Sequence, residues 1–172
     1  MKNVVLFGFM GTGKSVVGRE VAGRLKYQFV DTDELIEKSE DTTINAIFKR
    51  FGESYFRERE KEAVNKLKDI ENIVIATGGG AVLFQENIDN LKKKGVLIYL
   101  TATPHVIYKR LQQMNDRPLL NVDNPEEKIN MLLKFREPFY KKVTYTIDTS
   151  DLQIEEVVEK VLEIYAKATK ET

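Results

Sequence analysis

Eight residues near the N-terminus, Gly8-Phe9-Met10-Gly11-Thr12-Gly13-Lys14-Ser15, fit the pattern G-x-x-x-x-G-K-[ST] with no mismatch. The context matters as much as the match. The apolar run Val4-Val5-Leu6-Phe7 before it is long enough for one buried strand. Val16, Val17, Val21, Ala22 and Leu25 after it recur at helical spacing. A strand, a glycine-rich turn and a helix form a phosphate-binding unit. The glycines let successive backbone N–H groups curl toward one phosphate chain. The helix N-terminus adds the positive end of its dipole. Gly11, Thr12, Gly13, Lys14, Ser15 and Val16 are therefore expected at a nucleotide. Lys14 reaches its β- and γ-phosphates, and the Ser15 hydroxyl holds Mg²⁺.

Bulk composition narrows the partners. A chain of 172 residues suggests one domain with a substantial core. Lys and Arg total 27, as do Asp and Glu, so the net charge is zero and no basic excess points to nucleic acid. There is no cysteine, hence no disulfide framework and no thiolate metal site. No apolar run approaches membrane-spanning length. A cleaved leader would destroy the glycine-rich loop, so a soluble, cytoplasmic chain without a membrane role is expected.

Short β-rich runs alternate with longer amphipathic stretches. Candidate strands are Val4–Phe7, Phe29–Val30, Ile73–Ala76, Val96–Leu100 and Tyr145–Ile147. Candidate helices begin near Lys14, Glu34, Thr43, Glu53, Gln85, Pro104, Pro125 and Gln153. This alternation predicts an α/β fold, a parallel sheet with helices on both faces. Such sheets place ligands at the carboxyl ends of their strands. The segments that follow the strands, Asp31-Thr32-Asp33, Thr77-Gly78-Gly79-Gly80, Thr101-Ala102-Thr103 and Asp148-Thr149-Ser150, are small, polar or acidic. One stretch, Asn115 to Pro125, interrupts the alternation with a loop long enough to act as a lid or to serve as a solvated helix connection.

The candidate groups carry competing readings. If the strand continues through Asp31 and Asp33, both carboxylates point to one side. One then orders the water shell of Mg²⁺ and the other accepts a proton from a hydroxyl. Thr32 or Asp33 also suits the cap of a helix that starts at Glu34. Three consecutive glycines, Gly78, Gly79 and Gly80, suit either a ligand lying against the backbone or a flexible turn. Arg57 has Glu53 four residues before it, and on this local pattern surface pairing is the better reading for Arg57 and for Arg59. Arg136 fits a solvated helix face. Arg117, in the candidate lid, could swing onto the γ-phosphate. His105, the single histidine, reads as a surface residue.

In combination these segments resemble the shikimate kinases over nearly the full chain. The resemblance is carried by Gly8 to Ser15, Asp31-Thr32-Asp33, Phe56-Arg57-Glu58-Arg59-Glu60, Thr77-Gly78-Gly79-Gly80, Arg117-Pro118-Leu119-Leu120 and Arg136-Glu137-Pro138-Phe139-Tyr140. It implies a nucleoside-monophosphate-kinase-like fold: three layers, a five-stranded parallel sheet in the order 2-3-1-4-5, and a mobile lid. The whole chain, 1–172, would form one domain, with the lid at about 114–124 and a substrate-binding helical region at about 33–60. The reaction implied is transfer of the γ-phosphoryl of ATP to the 3-hydroxyl of shikimate, a step toward chorismate and the aromatic amino acids. By that resemblance Asp33 holds the ring hydroxyls and takes the 3-hydroxyl proton. Arg57 and Arg136 grip the shikimate carboxylate, and Gly78, Gly79 and Gly80 line the pocket. Lys14 and Arg117 act on the phosphates, Ser15 and Asp31 serve the metal, and Arg110 with Asp148-Thr149-Ser150 lies near the adenine. The partners implied are ATP and shikimate, and the chain would be a monomer.

Two rival readings frame the test. Gluconate kinases and nucleoside-monophosphate kinases share the loop-and-lid plan, and gluconate is also a hydroxylated carboxylate. The glycine run with Arg57 and Arg136 favours shikimate. A nucleotide-binding regulator without catalysis would lack an acid or the lid arginine, whereas Asp31, Asp33 and Arg117 are all present.

Overall fold

The structure is a computed structural model that describes residues 2–113, 122–143 and 145–170. Strands β1 (Asn3–Phe7), β2 (Gln28–Asp31), β3 (Ile73–Ala76), β4 (Gly95–Thr101) and β5 (Tyr145–Asp148) form one five-stranded sheet in the order β2-β3-β1-β4-β5. Every pairing is parallel. β1 and β3 are buried at every residue, which is why they read as unbroken apolar runs.

Successive side chains leave a strand on opposite faces, and that alternation divides the core in two. Val4, Leu6, Val74, Val96 and Ile98 meet Val17 and Val21 of α1 (Lys14–Leu25) and Val157 and Val161 of α7 (Ile154–Lys170). Val5, Phe7, Ile73, Ile75 and Leu97 meet Val64 and Leu67 of α3 (Ile44–Leu67) and Ile88 and Leu91 of α4 (Gln85–Lys92). The expected three layers and strand order are both present. At about 1.5–3 kcal/mol for each fully buried large aliphatic side chain, the two faces supply the main stabilisation of the sheet.

The remaining helices frame the carboxyl edge. α5 (Pro104–Gln112) and α6 (Pro125–Tyr140) each start with proline behind a capping side chain. Thr103 accepts from Val106 N, and Asn124 accepts from Glu127 N. Phe9 packs between these two helices with Ala102, Ile107, Leu111 and Ile129. α2 (Thr32–Glu40) packs on α3 through Ile36, Ile47, Phe56 and Ala63.

One helix start differs from expectation. The two helices expected near Thr43 and Glu53 are both present: α3 is two helical segments that meet at Gly52, whose φ of 80° and ψ of 176° lie outside helical geometry. α2 begins at Thr32 rather than Glu34, and its cap is Asp31 rather than Thr32 or Asp33. Extended backbone ends at Asp31, whose carboxylate accepts from the N–H groups of Asp33 and Glu34. No helix among the described residues is long and apolar enough to cross a membrane.

Candidate active site

The phosphate end is built on β1 and the start of α1. Gly13 precedes the first helical residue with φ at 94°, a left-handed conformation that a side chain would strain. Lys14 is buried, and its Nζ donates to the Phe9 carbonyl at 2.9 Å. The Thr12 hydroxyl donates to the same carbonyl at 2.7 Å. The loop is thus closed on itself, with its lysine drawn across it. Val16 is half exposed at the outer side of α1.

Ser15 and Asp31 come together from α1 and β2. Ser15 Oγ donates to Asp31 Oδ2 at 2.7 Å, while Asp31 Oδ1 accepts from Asp33 N at 2.9 Å. One carboxylate therefore both caps α2 and faces the phosphate loop. A hydroxyl beside a carboxylate is a hard, all-oxygen donor pair of the kind that suits a divalent cation completed by water and phosphate oxygens. Among the described residues, no group of three or more acidic, histidine or cysteine side chains is placed to hold a metal ion.

Between β2 and β1, the turn after β3 gathers charged groups from three helices. A Cβ on Gly78 would lie 2.6 Å from Asp33 Oδ1 and 2.9 Å from Glu60 Oε1. One on Gly79 would lie 3.2 Å from an Arg136 terminal nitrogen, and one on Gly80 would collide with the Arg57 guanidinium. Each glycine in the run thus faces a different charged head. The turn is fixed from both sides: Gly78 N donates to the buried Thr32 hydroxyl at 2.9 Å, and the Tyr140 hydroxyl donates to Gly79 O at 2.7 Å. Tyr140 stacks on Tyr99 with centroids 4.3 Å apart, and burial pushes its hydroxyl well above the usual tyrosine range.

Arg57 departs from the surface reading. Its side chain is only 11% exposed, against 30% for Arg59. Arg57 donates to Glu53 at 3.0 and 3.2 Å and to Glu60 Oε2 at 3.0 Å. Glu53 is the expected surface partner, but Glu60 is fully buried and turns the guanidinium inward. Arg59 keeps the surface role, pairing with Glu62 at 2.8 Å and lying over Tyr55. Arg136 also leaves the solvated face expected of it, because its Cζ sits 5.2 Å from the centroid of the buried Phe9 ring.

Burial dominates the electrostatics here. It pushes Asp33 up to about 6, with the Asp31 charge adding and Lys14 and Arg57 opposing. It pushes Glu60 up to about 7, even though Arg57 pulls the other way. Asp33 Oδ1, Glu60 Oε1 and Arg136 Nε are buried and make no hydrogen bond among the described residues. Buried polar atoms of this kind normally have partners. Three of them around one glycine turn mark a surface shaped for a polar ligand.

A model described as shikimate kinase matches residues 10–166. The chain belongs to the shikimate kinase family. It is 52% identical over 170 residues to the shikimate kinase of Thermoanaerobacter pseudethanolicus, covering 99% of both chains. It is 53% identical over 167 residues to that of Caldanaerobacter subterraneus subsp. tengcongensis, covering 97% of this chain and 98% of that one. Among solved structures, the shikimate kinase from Acinetobacter baumannii in complex with shikimate superposes with a TM-score of 0.91 at 38% identity, covering 98% of this chain and 94% of that one. The chain is accordingly an ATP-dependent kinase with an alcohol group as acceptor.

Within this shikimate kinase, Arg110 connects the nucleotide elements. Its guanidinium donates to Gly11 O at 3.2 Å and to Thr149 Oγ1 and O at 3.0 and 2.7 Å. The phosphate loop and the turn after β5 are thereby joined, as their common sheet edge predicts. Arg117 and most of the lid expected at about 114–124 lie outside the described residues. His105 is exposed beside Glu126, in keeping with a surface role. Glu60 is the site residue that sequence reading missed. Phe56, Glu60, Ala63, Val64 and Leu67 occupy one buried face of α3. A carboxylate in the middle of an apolar stripe was the available signal.

Proposed function

We propose that this kinase transfers the γ-phosphoryl group of ATP to the 3-hydroxyl of shikimate with the residues gathered at the two ends of its sheet edge. The observation that carries the reading is the convergence of Asp33, Arg57 and Arg136 on the Gly78-Gly79-Gly80 turn beside the phosphate loop. Two guanidiniums match a carboxylate through paired, charge-assisted hydrogen bonds. Asp33 Oδ1 has no other partner among the described residues and is available to a substrate hydroxyl. A polyol without a carboxylate would leave both arginines facing a partly desolvated space, which disfavours it.

The division of labour follows. Arg57 and Arg136 hold the carboxylate, and the glycine backbone forms the floor beneath the ring. Asp33 orients the 3-hydroxyl and accepts its proton as the oxygen attacks. The new O–P bond forms while the bond between the γ-phosphorus and the β–γ bridging oxygen breaks, and ADP leaves. Lys14 and the loop N–H groups hold the phosphates, and Arg117 from the lid adds positive charge as the γ-phosphoryl moves. Ser15 and Asp31 would hold Mg²⁺. When bound, the ion neutralises charge on the phosphate oxygens. Gly11, Thr12, Gly13 and Val16 line the phosphate path, and Arg110 supports the adenine end. Residues at about 33–60 form the acceptor-binding region of a single-domain, cytoplasmic monomer.

The test is ADP release by the purified chain with ATP and Mg²⁺, comparing shikimate, gluconate, AMP and no acceptor. Release that depends on shikimate is expected. Release with gluconate or AMP in preference would overturn the carboxylate-clamp assignment and leave the phosphate loop intact.

A further inference from the structure

Both arginines of the clamp lie over an aromatic ring, Arg57 over Phe56 and Arg136 over Phe9, each 5.2 Å from the centroid, but their carboxylate partners differ. Arg57 spends its N–H groups on Glu53 and Glu60. Arg136 makes no ion pair with a carboxylate among the described residues, and its Nε is buried without a hydrogen bond. Its guanidinium lies over Phe9, close to the Gly79 backbone and the Tyr140 hydroxyl. Phe9 itself is fully buried between α5 and α6. Its carbonyl accepts from both Lys14 Nζ and the Thr12 hydroxyl.

We infer that the ring of Phe9 is the positioning platform for Arg136, fixing the carboxylate end of the acceptor relative to the phosphate loop. The face of an aromatic ring is negative and attracts a cation stacked on it. A guanidinium suits this because it is planar and weakly hydrated. A ring engages the face of the guanidinium and leaves its N–H edge free. A carboxylate partner would occupy that edge and compete with the ligand. Phe9 therefore orients Arg136 without consuming the donors that must meet the acceptor. Because the same residue anchors Lys14 through its carbonyl, the donor and acceptor ends are referenced to one rigid point. This inference rests on the reading of Arg136 as a carboxylate ligand.

The test compares steady-state kinetics of the wild type, Phe9→Leu, Arg136→Ala, the double variant, and chains carrying increasingly fluorinated phenylalanine at position 9. Fluorination keeps the ring's shape while withdrawing charge from its face, so these chains carry the test should Phe9→Leu not fold. The KM for shikimate is expected to rise stepwise with fluorination, and by about two- to thirty-fold in Phe9→Leu. The values of kcat and of the KM for ATP should stay within about twofold. Phe9→Leu should add nothing in the Arg136→Ala background. A shikimate KM that stays flat across the fluorinated series, while Arg136→Ala raises it, overturns the platform and leaves the clamp standing. An unchanged KM in Arg136→Ala overturns the clamp, and the platform with it.

Discussion

Gly80→Ala separates the acceptor clamp from the nucleotide site. Gly80 has φ at −100° and ψ at −3°, a backbone that alanine adopts without strain. The added Cβ would stand 2.5 Å from Arg57 Nη2 and 2.6 Å from its Cζ, with Nη1 nearer still. Non-bonded heavy atoms settle at about 3.5–4 Å, so the guanidinium must retreat by about 1 Å or more. It is the far end of a flexible side chain and can move. It then leaves its 3.0 Å contact with Glu60 and its place in the clamp. A hydrogen bond to a charged group contributes about 1.5–3 kcal/mol, and losing one raises the shikimate KM about ten- to a hundred-fold. Stability should fall, because the fully buried Glu60 loses this partner, and alanine's restriction of the unfolded chain by about 0.4–1 kcal/mol offsets only part of the loss. A coupled ADP assay with varied shikimate, an ATP titration and a melting curve form the set. Intact ATP binding, a lowered Tm and a raised shikimate KM are expected. A shikimate KM within about twofold of the wild type would show that Arg57 does not bear on the acceptor.

Gly78→Ala sits two residues away in the same turn but meets Asp33 and Glu60, so its main effect should fall on kcat. Equal kcat with a raised shikimate KM would contradict the base role of Asp33. Lys14→Ala should lower kcat by about a hundred-fold or more in a chain whose circular dichroism is unchanged, and retained turnover would refute its phosphate role. Glu60 keeps its proton in the folded chain up to about pH 7, whereas the unfolded chain loses it near 4.5. The folded state therefore binds more protons across that window, and stability falls as the pH rises through it, by up to about 3 kcal/mol from this group. Glu60→Gln should flatten that slope in denaturant titrations at pH 5 and pH 8. A variant as steep as the wild type would place the slope elsewhere.

What the sequence reveals of this site depends on whether a residue's role is local. The phosphate loop is readable because strand, glycines, Lys14 and helix are adjacent in the chain, and each strand ends within a residue or two of its apolar run. Asp31 was legible as an acid at a strand end. That it also caps α2 depends on where extended backbone stops, and local propensities do not fix that to a single residue. Local pattern alone gives Arg57 a surface reading, because its i−4 partner, Glu53, is real and sufficient for one. Only the placement of Glu60 in the buried stripe of α3 shows which way the guanidinium turns. Arg136 offers still less, because the ring beneath it comes from the phosphate loop near the other end of the chain. The glycine run illustrates the limit most directly. From the chain alone, three glycines fit a loose turn as well as a ligand floor. In the fold, Asp33 with Glu60, Arg136 and Arg57 each stand over a different one. A Cβ at any of the three would displace a different charged group, so the information lies in pairings between distant residues rather than in the glycines themselves. The substitutions at Gly78 and Gly80 test that directly, because chemically identical changes two residues apart should damage different kinetic constants.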